Sequence, residues 1–297
     1  MPFFSIVLPT YNRAHMLPQA IQSVLRQTYE DFELIIVDDA STDITQQVVA
    51  QFRDKRILYI KNSINLERCQ SRNIGIEHAH GTYICFLDSD DYHLPHHLET
   101  IHAAIHSSAT PEALFFTNAY DEQSGVQTER TCPPIENYNL FHYIVTYTFN
   151  PQRMCVHANI AKHIQFDPEV YVCEDVDFSA RIARHYPVIQ IPYRTTVYVN
   201  HPESFTGGDS QKAFKELENY RRIFTKKDLR KHIPTQSKWR LYSMCYFHIA
   251  LYYQRMHLYV QMYYAIIRSF LLYPPGYNRK TNKILCALAC KGMFKDM

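Results

Sequence analysis

The chain has 297 residues, of which 46% are hydrophobic and 20% charged, with a net charge of +2. Such a length buries a large core and exceeds the usual single domain, and such a composition excludes a disordered chain, so one large domain with an appendage is expected. The near-neutral charge hides an asymmetry: from residue 206 onward there are 17 Lys and Arg against 5 Asp and Glu, leaving 14 against 24 before it. An acidic body of about −10 thus precedes a basic tail of about +12.

Met1-Pro2-Phe3-Phe4-Ser5 runs straight into Ile6-Val7-Leu8 without a basic-then-apolar targeting signal, which predicts a cytoplasmic protein. The 8 cysteines are scattered, Cys85, Cys155 and Cys245 fall inside apolar runs, and no Cys-x-x-Cys spacing occurs, so no zinc site is expected from them.

In chain order, residues 5–9 read as a strand and residues 16–27 as a helix with Leu17, Ile21, Val24 and Leu25 on one face. Residues 32–37 form a second strand ending in Asp38-Asp39, followed by a helix over 45–52, a strand over 57–60 and a helix over 68–78. Tyr83-Ile84-Cys85-Phe86-Leu87 is then a buried strand that empties into Asp88-Ser89-Asp90-Asp91. Alternation at this spacing predicts an α/β fold with a doubly wound, mainly parallel sheet, and places Pro9-Thr10-Tyr11, Asp38-Asp39 and residues 88–91 together on its carboxyl edge. Three carboxylates within four residues suit a hard cation such as Mg2+ or Mn2+; a solvated turn whose Asp and Ser residues cap the next helix accounts for them equally well.

The turn after the first strand, Pro9-Thr10-Tyr11-Asn12-Arg13, has no glycine, which excludes the dinucleotide fingerprint, and no Gly-Lys-Ser/Thr of a phosphate loop occurs anywhere. What remains is an aromatic that can stack on a base, carboxylates that can accept from base or ribose, and an acidic cluster suited to a diphosphate-bound metal. An aspartate-nucleophile phosphatase is not expected, because its Asp-x-Asp follows the first strand rather than a later one.

Pro9-Thr10-Tyr11-Asn12-Arg13, Val37-Asp38-Asp39-Ala40-Ser41-Thr42-Asp43, Arg72-Asn73-Ile74-Gly75 and Phe86-Leu87-Asp88-Ser89-Asp90-Asp91 resemble, in order and spacing, the inverting glycosyltransferases of family 2 with the GT-A fold. The likeness is close over roughly the first 100 residues and looser to about residue 205. It implies transfer of a sugar from a nucleotide-sugar donor, most simply a UDP-sugar, to an acceptor hydroxyl, with Mn2+ or Mg2+ as cofactor. It further implies that Pro9, Thr10, Tyr11, Asp39, Arg72 and Asp88 bind the donor, and that Asp88 and Asp90 form the Asp-x-Asp element, Asp90 being the direct metal ligand. In Cys173-Glu174-Asp175 it implies that Asp175 is the catalytic base; Cys173 stands where the family often has glycine or a small residue. Taken alone, those acids fit a helix start enriched in carboxylates for dipole reasons better than a base; the upstream motifs reverse that preference. His201 falls where many relatives place a residue that reaches the metal or diphosphate, and otherwise reads as a surface histidine. Gly207-Gly208 could hinge a loop closing over the donor.

His102 and His106 stand at i, i+4, but no His-Glu-x-x-His pattern accompanies them, so a zinc site is not expected there. Residues 107–150 read as a short strand over 114–117 and an irregular acceptor-side region. Past residue 206 the chain is helical: Trp239, Tyr242, Tyr246, Ile249, Tyr253, Met256, Val260, Tyr263, Ile267 and Phe270 recur at three- and four-residue steps, as one long helix or two packed ones, until Pro274-Pro275, with a further amphipathic piece over 283–294. Arg240, Arg255 and Arg268 exclude a spanning helix. The organisation expected is a nucleotide-sugar-binding half (1–100), an acceptor-binding half (101–205) and a basic helical region (206–297). That region, with 10 of the 23 tyrosines, either caps the body or binds an anionic membrane surface carrying a glycan or lipid-linked glycan acceptor; no nucleic-acid partner is expected. A non-catalytic scaffold of the same fold is the alternative.

Overall fold

The computed structural model of the chain describes residues 1–147, 149–203 and 212–273. Two compact units divide it, Met1–Gly208 and Asp209–Met297.

In the first unit, β1 (Phe4–Thr10), β2 (Phe32–Asp38), β3 (Ile57–Lys61) and β4 (Tyr83–Phe86) lie parallel in the order β3-β2-β1-β4. The sheet continues through β8 (Met154–His157), β6 (Leu114–Gln123), β9 (Val188–Asn200) and β5 (Tyr92–His93), with β7 (Val126–Arg130) paired to β6. Six of these nine strands share one direction, while β5, β7 and β8 run against it. The fold is α/β with a mainly parallel sheet, and all three opposed strands follow β4. The region read as irregular after residue 117 instead extends β6 to Gln123, forms the β6–β7 hairpin and contains a helix, α5 (Leu140–Tyr147). Its strand β7 is a solvent-facing Val-Gln-Thr-Glu-Arg, so no apolar period marks it; pairing with β6 makes it a strand.

Every residue of β1 is buried because helices cover both faces of the sheet. Phe4, Ile6 and Leu8 pack with Leu17, Ile21 and Val24 of α1 (Leu17–Leu25) and Leu98 and Ile101 of α4 (His97–Ser107). Val7 faces the other way, toward α3 (Glu67–His78). A methyl group at Gly75 would overlap Val7 Cγ1, so glycine there lets α3 lie close on β1. Asn73, two residues earlier, clips α3 to a distant loop: it donates to the Phe166 carbonyl and accepts from the Phe166 amide, both at 2.8 Å. Phe166 stacks on Phe178 of α7 (Glu174–Ala183), 4.1 Å between centroids, and both rings meet Phe86 of β4 edge-on. These contacts seat the start of α7 beside the carboxyl end of β4. The remaining helices are α2 (Thr45–Val49), shorter than its 45–52 expectation, and α6 (Ala158–Ile164).

The second unit, described by itself, contains α8 (Lys212–Thr225), α9 (Thr235–Arg255) and α10 (Tyr259–Leu272). The long periodic stretch is two helices, α9 and α10, packed antiparallel and joined by Ser243 and Ser269, each hydroxyl donating to the other's carbonyl at 3.0 and 2.9 Å. Ser243, Phe247 and Ala250 share one side of α9, and Met262, Ala265, Ile266 and Ser269 one side of α10, so the paired serines set the seam along these residues. The aromatic stripe turns instead toward α8, where Tyr242 meets Phe224 and Tyr253 meets Phe214, and of that stripe only Ile249 is buried. The turn between the helices, with His257 at φ 58°, resets the phase, and small side chains at the seam let the helices approach. The glycine pair at 207–208, Pro274-Pro275 and the piece over 283–294 lie outside the described residues.

Candidate active site

Register brings the first two polar turns together. Thr10 pairs with Asp38 across β1 and β2, and the Asp39 amide donates to the Thr10 carbonyl at 2.8 Å. Asn12, at φ 51°, locks the turns: its amide donates to Ser41 Oγ and its Oδ1 accepts from the Thr42 amide, both at 2.9 Å. The adjacent aspartates then differ in role. Asp38 is fully enclosed and spends both oxygens on the fold, accepting from the Ser41 amide at 2.8 Å and the Tyr59 hydroxyl at 2.5 Å. Asp39 accepts at Oδ1 from Asn62 Nδ2 and the Leu66 amide, both at 2.8 Å, and lines an open cleft.

That cleft, of about 310 Å³, is lined by Pro9, Thr10, Tyr11, Asp39, Arg72, Asp88 and Asp90, all expected from the sequence to surround a donor, and by Arg13 and Glu203, which were not. Tyr11 is half exposed on its rim. Thr10 Oγ1 is enclosed and makes no hydrogen bond among the described residues. Arg13 pairs with the Glu203 carboxylate and donates to its carbonyl at 2.9 Å, tying the loop after β1 to the loop after β9.

Arg72 is 2% exposed, and its guanidinium donates to Asp88 Oδ1 at 2.7 Å and to Glu174 Oε1 at 3.0 Å. Burial works against its charge, but the two carboxylates overcome that and raise its pKa. Glu174 and Asp175 open α7, and the residue before them, Cys173, is held at φ 63°. That left-handed conformation costs a side-chain-bearing residue about 1–2 kcal/mol and favours glycine. Asp175 itself is pushed up to about 7 by burial and then by the neighbouring Glu174, while the Val176 amide at 2.8 Å and Arg72 pull the other way. It does not line the cleft; the chain Asp88, Arg72, Glu174 connects its helix start to the acidic turn.

The acidic turn divides its carboxylates similarly. Asp91 is buried, accepting from Gln152 Nε2 and, at 2.8 Å, from the Val199 amide; burial and then Asp90 and Asp88 raise its pKa well above the usual range. It anchors the end of β9, and two residues past Val199 His201 Nε2 stands 3.2 Å from Asp90 Oδ2. Among the described residues no three His, Cys, Asp or Glu side chains gather as a ready-made metal cage. Asp88, Asp90 and His201 nevertheless fit Mg2+ or Mn2+, which is held by one or two carboxylates while phosphate oxygens and water complete its shell.

Sequence reasoning assigned no part to Asn62, Gln152 and Glu203, and it counted Asp91 with the cation-binding carboxylates, whereas Asp91 is buried against Gln152 and the Val199 amide. Glu174 was visible beside Asp175, but its partnership with Arg72 joins positions 102 apart and has no local signal.

A mainly parallel sheet with a cleft at its carboxyl edge, an Asp-Ser-Asp turn on that edge and no glycine-rich phosphate loop is the architecture of the GT-A fold. The model of glycosyl transferase family 2 matches residues 5–158, more than half of the chain, and the chain belongs to that family. WcaA of Escherichia coli K12, a glycosyl transferase named for colanic acid biosynthesis, is 32% identical over 220 residues, covering 69% of this chain and 78% of that one. The Escherichia coli UDP-Glc:alpha-D-GlcNAc-diphosphoundecaprenol beta-1,3-glucosyltransferase WfaP is 37% identical over 140 residues, 46% of this chain and 55% of its own length. Among solved structures, the mannosyltransferase PcManGT of Pyrobaculum calidifontis, in complex with GDP-Man and Mn2+, superposes with a TM-score of 0.65 at 15% identity, covering 99% of this chain and 81% of that one.

Proposed function

We propose that the protein transfers a sugar, with inversion, from a UDP-sugar to a hydroxyl of a lipid-linked glycan in the synthesis of a cell-surface polysaccharide. The observation that carries this reading is the buried Arg72 spanning Asp88 and Glu174, because it couples a donor-side carboxylate to the helix start that bears a carboxylate with a pKa near neutrality. The donor and acceptor classes rest on the glucosyltransferase relative, whose donor is UDP-Glc and whose acceptor is a diphosphoundecaprenol-linked sugar.

In this reading Tyr11 stacks on the base, Asp39 accepts from it, and Thr10 Oγ1 finds in the nucleoside the partner it lacks. Asp90, with Asp88 and His201, holds a divalent cation that, when bound, neutralises charge growing on the departing diphosphate. The acceptor hydroxyl oxygen attacks the anomeric carbon, the bond from that carbon to the diphosphate oxygen breaks with its electron pair on the diphosphate, and Asp175 takes the hydroxyl proton. A pKa of about 7 suits a group that must be unprotonated near neutral pH and still hold a proton afterwards.

The test offers UDP- and GDP-sugars with Mn2+ and an undecaprenyl-diphosphate-linked sugar, and reads nucleotide release and the anomeric configuration of the product. Release of UDP with an inverted linkage is expected; retention of configuration, or turnover of GDP-sugars alone, overturns the reading.

A further inference from the structure

The outer face of α10 is apolar and open to water. Val260, Tyr264, Ile267 and Leu271 follow one another at four-, three- and four-residue steps, so they share a side of the helix, and they are 81%, 56%, 56% and 76% exposed. The turn leading into α10 extends the same surface, with Met256 at 54% and Leu258 at 41%. None of these side chains belongs to the seam with α9, so the packing of the hairpin does not explain them.

The charge around this surface has one sign. From Thr235 to Tyr273 the sequence contains Lys238, Arg240, Arg255 and Arg268 and not one Asp or Glu. Arg255 is exposed at the tip, and Arg268 is exposed beside the apolar stripe, its Nε donating to the Tyr264 hydroxyl at 2.8 Å. A second copy of the chain seated here would set these arginines against their own kind with no carboxylate of the hairpin to pair them. An anionic lipid surface offers both partners at once, phosphates for the arginines and an acyl boundary for the apolar stripe, and tyrosine favours that boundary. No helix among the described residues is long and apolar enough to cross a membrane, so the hairpin would lie along the surface.

We propose that the tip and outer face of the α9–α10 hairpin dock on an anionic phospholipid membrane, with Met256, Leu258, Val260, Ile267 and Leu271 entering the acyl boundary and Arg255 and Arg268 meeting lipid phosphates. This deepens the proposed action on a lipid-linked acceptor, but the surface lies in the second unit and is testable apart from catalysis.

Flotation of the full chain with phosphatidylcholine vesicles, with and without phosphatidylglycerol, tests it. Binding is expected only with phosphatidylglycerol and should fall several-fold in about 1 M NaCl, where the screening length shrinks to about 3 Å. Leu258→Asp with Val260→Asp should lower the partition at least about tenfold, the scale set by two buried aliphatic side chains, while leaving the thermal unfolding midpoint and UDP release to a water-soluble acceptor unchanged. Arg255→Gln with Arg268→Gln should lower it without removing it. Equal flotation of the Asp double variant and the parent, equal binding to neutral vesicles, or a parent dimer that the Asp variant converts to monomer overturns the proposal. Loss of flotation with donor turnover intact counts against nothing else, and flotation without turnover sinks only the transferase reading.

Discussion

Arg72 Nη1 stands 3.0 Å from Glu174 Oε1, joining two buried side chains 102 positions apart in the chain. Removing a guanidinium from water costs several kcal/mol, and here two carboxylates offset that cost, one from the acidic turn and one from the start of α7. The consequence for Asp175 is electrostatic. Its neighbour Glu174 opposes its ionisation, so Glu174→Gln should move the acid limb of the kcat–pH profile below its parent position near pH 7. Both changes have one sign, because the variant removes a negative neighbour and leaves Arg72 less neutralised. Asp175→Asn should cut kcat by about 100-fold or more at unchanged donor affinity. A limb that stays in place in Glu174→Gln, or a loss of donor binding in Asp175→Asn, would show that Asp175 is not the base.

Asp39 and Asp38 provide an internal contrast for the donor pocket. Asp39→Ala should weaken UDP and UDP-sugar by the same factor, about tenfold or more, the usual worth of a hydrogen bond to a charged group. Asp38→Ala should instead lower stability, since it strands the Ser41 amide and the Tyr59 hydroxyl. Calorimetry with UDP and a urea melt separate the two. Unaltered UDP affinity in Asp39→Ala would remove the carboxylate from the base pocket.

Asp90→Ala should leave the fold intact, because Asp90 is partly exposed and Asp91, not Asp90, anchors β9. The variant should lose the increment in donor affinity that Mn2+ confers, and chelation with EDTA should bring the parent to the same level. Calorimetry in Mn2+ that finds parent-like affinity in Asp90→Ala would sink the metal assignment.

His93 and His97 predict acid sensitivity of the fold. Their rings stack at 3.7 Å in the core, His93 facing the Gln152 carbonyl at 3.1 Å and His97 the Thr195 hydroxyl at 2.7 Å. Burial lowers His93 to about 4, and burial followed by the neighbouring histidines lowers His97 well below 6.5. Below pH 6.5 the unfolded chain therefore binds protons that the folded chain refuses, and stability falls with pH until His93 titrates in the folded state near 4. The slope approaches about 1.4 kcal/mol per pH unit for each histidine. The raised Asp91 acts in the opposite sense, so the comparison is between variants: His97→Leu should flatten the loss of urea midpoint between pH 6.5 and 5. An unchanged slope would acquit His97.

The sequence by itself determined the alternation of buried strands and helices in the first hundred residues, the absence of a glycine-rich phosphate turn, and the three polar clusters on one sheet edge. Each follows from local pattern: apolar runs, helical periods, and the chain direction of parallel strands, which sends all their carboxyl ends to one side. Gly75 belongs with these as a residue the motif marks, although only the packing of α3 on Val7 shows why a methyl group is not tolerated.

The tertiary structure decided which of two adjacent acids serves the fold and which faces the cleft. Asp38 and Asp39, or Asp90 and Asp91, are chemically alike and one position apart, yet that step turns a side chain toward different neighbours. Those neighbours, Tyr59, Asn62, Gln152 and Val199, lie 21, 23, 61 and 108 positions away, beyond any local signal. The same reason applies to the hairpin of the second unit. Periodicity found the apolar positions of α9 and α10, but the turn at His257 set their phase, and so left Val260 and Leu271 in water while Ala265 and Ser269 lie in the seam.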